Sequence, residues 1–366
     1  MKTYRAALVG CSRMGAFIDN EVPESRGAYS HAAGYEACER THMIACSDLR
    51  EEGMEQTGMR YGVPREKQYL NYEEMIDREK PDILSVATQP EQRAEIVIFA
   101  VEHGVKAIYA EKALAASLAE ADAIVEAVER NGAFLNMGTN RRWDPGYDTM
   151  KGVVDSGRIG SLKTLILHQT GSLFNSASHG LDLLQRLNGD CPVTWVQAHL
   201  PDGDEAIDGE ILRQDPVGHG ILQFENGVTA YALNSGRGME VEAVCAQGVM
   251  TALSEWQEWQ IRERGGEDYR PFFFSSRYGR PVLVQGEFPA FEPRSSTQRL
   301  IEDLVHALDT GEPTRGGARL ARANMELIFA FVDSHLRGGA RVELPLEGSR
   351  HRLLRDRAPG LPRYGR

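Results

Sequence analysis

The sequence predicts an α/β fold: an N-terminal Rossmann domain followed by an α+β C-terminal domain with an open, mostly antiparallel sheet. Three observations predict it. Short apolar runs alternate with amphipathic segments through the first third of the chain, the first run ends in a glycine-rich turn, and after about residue 140 longer β-type runs take over. The expected limits are residues 1–139 and 140–348, with a basic tail over 349–366.

The first strand, Tyr4–Val9, leads into Gly10-Cys11-Ser12-Arg13-Met14-Gly15. Glycines in such a turn let a pyrophosphate approach backbone N–H groups at a helix start; Ser12 is the smallest replacement for the middle glycine that still permits this. Gly10, Ser12, Arg13, Met14 and Gly15 are therefore candidate cofactor contacts. The stretch Ala16–Ser30 is unusually long, which reads as an insertion, and it delays Asp48 well beyond the fingerprint's roughly 20 residues. Asp48 closes a second strand around Met43–Cys46. A carboxylate there accepts hydrogen bonds from an adenosine ribose and repels a 2′-phosphate, so NAD is favoured, while Arg50 nearby keeps NADP open.

Ile83–Ala87, Ala107–Tyr109 and Ala133–Met137 predict three further strands. Between them, Ile96, Val97, Ala100 and Val101 share a helix face before Gly104. Ser117-Leu118-Ala119-Glu120 is a capping box opening a helix that runs to Gly132. Glu111-Lys112 follow the fourth strand, at the carboxyl edge where α/β sheets bind ligands. A desolvated ammonium there polarises a hydroxyl or carbonyl.

In the second domain Leu162–Gln169, Val193–His199, Gly220–Phe224, Val228–Leu233 and Glu240–Ala246 read as strands, with Asn226-Gly227 as a hairpin turn. One helix, Ser178–Leu187, opens within Asn175–Asp182 and sets His179 and Asp182 at i, i+3; a helix start favours neutral histidine, which suits a general base. Two more helices within 297–336 are expected to pack back on the Rossmann domain. His168 and His219 read as satisfied sheet residues. Arg141 and Arg142 are either ligand contacts or members of an ion pair, and Arg142 is the candidate substrate contact. The aromatic stretch Glu255–Arg280 balances five Arg with five acidic residues, so a sheet-face interface or a sugar-stacking wall fits better than RNA. The tail from Ser349 has six Arg against one Asp and reads as solvated surface, with a subunit-clasping arm as the alternative.

The 366 residues carry a net charge of −12, which argues against a nucleic-acid partner. No apolar run approaches the roughly 18 residues of a membrane span, and the apolar start is too short for a signal peptide, so a cytoplasmic location is expected. Five scattered cysteines, none in C-x-x-C spacing, suggest buried thiols rather than disulfides or a metal site.

Taken in order, the glycine turn, His31 with Ala32-Ala33, Thr88-Gln89-Pro90, Glu111-Lys112, Arg142-Trp143-Asp144-Pro145 and the Asn175–Asp182 segment resemble the Gfo/Idh/MocA oxidoreductases over nearly the whole chain. The resemblance implies NAD(P) on the glycine turn and a sugar or cyclitol beside the nicotinamide. It implies that Lys112 binds the reacting hydroxyl, that His179 is the acid/base, that Thr88, Pro90 and Glu111 line the cofactor pocket, and that the free sheet face makes a homodimer or homotetramer. The chain departs from the family at two points. Ala113 stands in place of a proline, and Asn175, a candidate catalytic and substrate contact, stands where aspartate is usual; an amide orients a substrate but takes no proton, so Lys112 and His179 share the proton chemistry. The implied activity is hydride transfer between a ring carbinol and NAD. The alternatives are redox-neutral chemistry through transient oxidation with tightly held NAD, and a non-catalytic NAD(P) sensor.

Overall fold

The structure, a computed structural model, describes residues 2–169, 171–265, 283–355 and 362–364. Its first sheet contains six parallel strands, β1 (Tyr4–Val9), β2 (Thr41–Ser47), β3 (Gln68–Tyr69), β4 (Ile83–Val86), β5 (Ala107–Ala110) and β6 (Phe134–Met137), in the order β3-β2-β1-β4-β5-β6. Every side chain of β4 and β5 is buried, as befits central parallel strands covered on both faces. Around them lie α1 (His31–Ala37), α2 (Glu51–Tyr61), α3 (Tyr72–Glu79), α4 (Pro90–Glu102) and α5 (Leu118–Arg130). The Ser117 hydroxyl caps α5 by accepting the Glu120 N–H, while the Glu120 carboxylate accepts from Ala116 N–H. Only the two-residue β3 lacks any apolar run in the sequence.

The segment after the glycine turn differs from an ordinary Rossmann helix. Arg13–Phe17 forms one wide π-type turn, Ile18–Asn20 and Glu24–Arg26 are 3₁₀ turns, and the α-helix begins only at His31, capped by Ser30. The Asp19 carboxylate holds this detour by accepting the N–H groups of Tyr29 and Ser30. The long Ala16–Ser30 stretch is thus a folded loop.

The second domain starts with α6 (Pro145–Ser156), β7 (Leu162–Gln169), α7 (Ser178–Leu187) and β8 (Val193–His199). A short helix α8 (Gly203–Ala206) precedes β9 (Ile207–Asp208) and β10 (Ile211–Leu212). Then come β11 (His219–Phe224), β12 (Thr229–Asn234), β13 (Glu240–Cys245), β14 (Gly248–Leu253), β15 (Glu258–Arg264) and β16 (Leu283–Gly286). The chain ends with α9 (Ser296–Thr310), α10 (Ala318–Leu336), β17 (Val342–Glu343) and β18 (Arg352–Leu353). Among the described residues nine strands form one sheet, β16-β15-β14-β13-β7-β12-β11-β8-β17, antiparallel except between β7 and β12. Its strands alternate: Leu165, Leu167, Leu222 and Ala230 are buried, whereas Ile166, Ile221 and the 37% exposed Tyr231 occupy the other face.

Both late helices reach the first domain. Leu300, Ile301, Leu304 and Val305 of α9 share a core with Tyr4, Tyr35, Tyr109 and Trp143, and α10 lies against α5, β6 and β8. The tail corrects the expectation of a solvated surface: Leu353 is fully buried, Arg355 pairs with Glu91 on α4, and Tyr364 packs edge-on against Phe17 with centroids 4.9 Å apart. Of the aromatic stretch, Trp256 and Trp259 are described; Tyr269, Phe272, Phe273, Phe274 and Tyr278 lie outside the described residues.

Candidate active site

The carboxyl edge of the first sheet opens into a cleft with two connected chambers, of about 440 Å³ beside β2 and about 510 Å³ beside β5, which share Ser12, Ala87, Thr88 and Gln89. The glycine turn forms its floor. Gly10 has φ +97°, and a Cβ there would lie 2.9 Å from the Ala87 carbonyl; a Cβ on Gly15 would lie 1.9 Å from the Gly10 oxygen. These positions exclude larger residues and leave a backbone cradle suited to a pyrophosphate. Ser12, Arg13 and Met14 line the larger chamber.

Asp48 stands at the end of β2 in the smaller chamber, as its position predicted. Its Oδ2 accepts the Cys11 N–H at 2.8 Å and its Oδ1 accepts the Arg50 N–H at 2.9 Å, so the carboxylate is fixed between the glycine turn and α2. Leu49 and Leu70, 79% and 53% exposed, line the same chamber with apolar surface.

The larger chamber collects Thr88, Pro90, Glu111, Lys112, Asn175 and His179. Lys112 Nζ donates to Asn175 Oδ1 at 2.6 Å and to the Asn175 carbonyl at 2.9 Å, a bond that joins the two domains. Burial pulls the Lys112 ammonium down to about 8; Glu111 opposes this, and Arg141 and Arg93 reinforce it. His179 is held well below its ordinary range, first by burial and then by the positive charges of Arg141 and Lys112. Its Nδ1 is enclosed and has no hydrogen-bond partner among the described residues. Burial and these two cations both favour the neutral imidazole.

Behind Lys112 runs a buried chain. Tyr35 O–H donates to Ser85 Oγ at 2.8 Å, Ser85 to His31 Nδ1 at 2.9 Å, and His31 Nε2–H to Glu111 Oε1 at 3.2 Å. Glu111 Oε2 then accepts the Lys112 N–H at 3.1 Å. This direction satisfies every member with one neutral histidine, and burial does lower His31. Burial alone would raise Glu111; the His31 hydrogen bond and the nearby cations bring it below the usual carboxylate value. The Lys112–Ala113 peptide is cis, and the buried Arg93 guanidinium donates to the Ala113 and Thr88 carbonyls, tying the lysine loop to the Thr88–Pro90 loop.

Two site residues had no signal in the sequence. Asp215, from a loop without pattern, accepts Ser172 Oγ–H at 2.6 Å and the Phe174 and Asn175 N–H groups at 2.9 and 3.0 Å, holding the turn that carries Asn175. Tyr29 lines the chamber from the long loop. Arg142 is a correction. Its guanidinium lies outside the chamber and is consumed by Asp182, Asp190 and the Arg315 carbonyl, and the residue is 1% exposed. Its neighbour Arg141 lines the chamber instead, its guanidinium 4.2 Å over the Trp256 ring. His168 and His219 are satisfied within the sheet. The described residues contain no group of His, Cys, Asp or Glu able to hold a metal, and no described helix is long and apolar enough to cross a membrane.

A Rossmann sheet with a glycine cradle, an acidic residue ending β2, and a lysine and histidine meeting across a domain boundary define a two-domain dinucleotide-dependent oxidoreductase. Residues 4–139 match the Gfo/Idh/MocA family, described as an oxidoreductase family with an NAD-binding Rossmann fold. That match spans the first domain of the chain. Over 305 residues it is 25% identical to myo-inositol 2-dehydrogenase of Thermotoga maritima, covering 77% of this chain and 85% of the relative. It is 26% identical to D-apiose dehydrogenase of Paraburkholderia graminis, covering 94% and 90%. The fold matches a crystal structure of aldose–aldose oxidoreductase from Caulobacter crescentus, with a TM-score of 0.74, 18% identity and coverage of 94% and 100%.

Proposed function

We propose that this protein is an NAD-dependent dehydrogenase of a ring carbinol in a sugar, glycoside or cyclitol, with NAD preferred over NADP because of Asp48. The observation that carries the reading is the meeting of Lys112, Asn175 and His179 in the chamber continuous with the dinucleotide cleft. NAD, when bound, supplies the hydride acceptor. The residues that would hold it are Gly10, Ser12, Arg13, Met14 and Gly15 under the pyrophosphate, Asp48 at the ribose, and Thr88, Pro90 and Glu111 beside the nicotinamide.

Lys112 in its ammonium form donates to the substrate oxygen and stabilises the negative charge that grows as the O–H proton leaves. His179, neutral and with a free nitrogen, accepts that proton, while Asn175 orients the lysine and the hydroxyl but takes no proton. The carbinol loses one hydride and one proton and becomes a carbonyl. In the reverse direction the cations around His179 make its imidazolium a strong acid, suited to protonating a carbonyl oxygen.

A second reading, redox-neutral conversion with retained cofactor, is favoured by the tail: Arg355 holds Gln89 and Glu91 beside the cleft, and Tyr364 sits beside the glycine turn on Phe17. The test is to mix the protein with NAD and a panel of sugars, glycosides and cyclitols, following nicotinamide absorbance and identifying products. NADH build-up supports the dehydrogenase, conversion without it supports the second reading, and NAD binding without conversion of any panel member would leave only a sensor. We further infer a cytoplasmic enzyme assembled as a homodimer or homotetramer through the sheet face that carries Ile166, Ile221 and Tyr231. Monomeric light scattering would count against the assembly.

A further inference from the structure

Beyond the larger chamber, on the side away from the glycine turn, lies a third one of about 340 Å³. Tyr29, Asn140 and Arg141 line both, so the groove continues from the cofactor cleft past Lys112 and His179 into a further compartment. Two features with no role so far build it. The long loop after the glycine turn supplies Arg26 and Tyr29, and the start of the aromatic stretch supplies Trp256 and Trp259. The two are locked together, because the Arg26 and Arg141 guanidinium groups lie 4.7 and 4.2 Å from the Trp256 ring. Trp256 ends a turn in which Ser254, Glu255 and Trp256 all take positive φ, and Glu255 faces the larger chamber.

The chemistry of this compartment fits a hydroxylated ring. Trp259 and Phe291 present apolar surface beside Trp256, whose ring carries the two guanidinium groups, and Arg26, Asp144 and Arg294 place charges around it. Aromatic faces match the C–H face of a pyranose or an aryl ring, and the charged groups match hydroxyls at its rim.

The junction carries an independent sign of a polar ligand. Asn140 is 5% exposed, and its amide orientation is fixed: Thr297 spends its one hydroxyl proton on the Tyr29 carbonyl at 3.0 Å, so it accepts from Asn140 Nδ2 at 2.9 Å. That leaves Asn140 Oδ1 as a buried acceptor with no partner among the described residues, and Arg141 Nε as a buried donor without one. Buried groups of this kind are ordinarily paired, so both fit a ligand that bears hydroxyls.

We infer that the third chamber receives a second ring joined glycosidically to the one being oxidised, so that the substrate is a glycoside rather than a free monosaccharide or cyclitol. This rests on the dehydrogenase reading above. The reacting ring lies by Lys112 and His179, the glycosidic link passes Asn140 and Arg141, and the outer ring rests against Trp256, Trp259 and Phe291.

The experiment compares the wild-type protein, with NAD, on matched sets of one sugar: free pyranose, methyl glycoside, a disaccharide and an aryl glycoside. Conversion is read by product mass, so that redox-neutral turnover is counted. The expected result is a kcat/KM for two-ring members about tenfold or more above the one-ring members. The aryl and disaccharide arms show whether the outer ring is aromatic or a sugar. In Phe291→Ala and Trp256→Ala the two-ring to one-ring ratio should fall towards one. Free sugars or cyclitols turned over as well as their two-ring partners would overturn the inference and leave the dehydrogenase reading intact. Absence of any conversion by protein that binds NAD would overturn both. Should either variant fail to fold, the wild-type comparison still decides.

Discussion

Replacing Asn175 with aspartate tests the electrostatics of the site directly. In the native protein the Lys112 ammonium donates to a neutral amide oxygen 2.6 Å away, and burial holds it at about 8. The substitution Asn175→Asp puts a full negative charge at that oxygen. An opposite charge within reach moves a titrating group by about 1–3 units. Coulomb's law at an effective dielectric of about 20 gives ~4 kcal/mol for unit charges about 4 Å apart, which corresponds to the upper end of that range. The carboxylate favours the charged form, so Lys112 should move upward from about 8 towards its free value. The sign carries into stability. A lysine whose folded value is depressed binds fewer protons folded than unfolded between about 8 and its free value near 10.4, so native stability rises with pH across that window. In Asn175→Asp the window narrows and the rise shrinks. The assay is the pH dependence of Lys112 labelling by an amine-reactive ester, read by peptide mass from about pH 6 to pH 11, with the alkaline limb of kcat/KM as a second reading. A labelling midpoint that stays near 8, or moves down, would refute this account of the lysine.

Three other outcomes are expected. Lys112→Met should lower kcat/KM by about 10²–10⁴-fold while NAD affinity, measured by fluorescence titration, changes by no more than a few-fold; near-native turnover would remove the lysine from the mechanism. Arg142→Ala leaves the carboxylates of Asp182 and Asp190 facing each other without their cation, so urea denaturation should show a loss of about 3–5 kcal/mol. A loss under about 1 kcal/mol would mean that the pair is solvated. Asp48→Asn keeps an oxygen for the Cys11 N–H but removes the charge that repels a 2′-phosphate, so the preference for NAD over NADP should shrink about tenfold or more in direct binding. An unchanged ratio would shift the discrimination elsewhere, with Arg50 the first suspect.

Most of the Rossmann half was legible because its signals are local. An apolar run ending in glycine, a serine cap three residues before a glutamate and an acidic residue after a second strand each act over a few positions, and Gly10, Ser117 and Asp48 stand where those signals put them. Lys112 and His179 were legible as types in context, although nothing local shows that they share a chamber. The choice between Arg141 and Arg142 was not legible. Both lie in the 3₁₀ turn Asn140–Trp143, where adjacent side chains diverge, and only the positions of Asp182 and Asp190 decide which one is drawn inward. Strands β14 to β16 escaped because the turn between β14 and β15 uses Ser254, Glu255 and Trp256 at positive φ, where a sequence reader looks for glycine or asparagine. Asp215 and Asn140 act through partners far along the chain, such as Ser172 and Thr297.

The position of α9 bears on how the protein is made. Its Leu300, Ile301 and Leu304 complete the core around Tyr4, Tyr35, Tyr109 and Trp143, yet they leave the ribosome long after β6. At about 5–20 residues per second, all six parallel strands have been synthesised for on the order of ten seconds or more before the helix that covers this face exists. The first domain in sequence is therefore among the last parts to be finished. During synthesis it presents an apolar surface that a chaperone has reason to hold, and a fragment cut after β6 would keep that surface permanently.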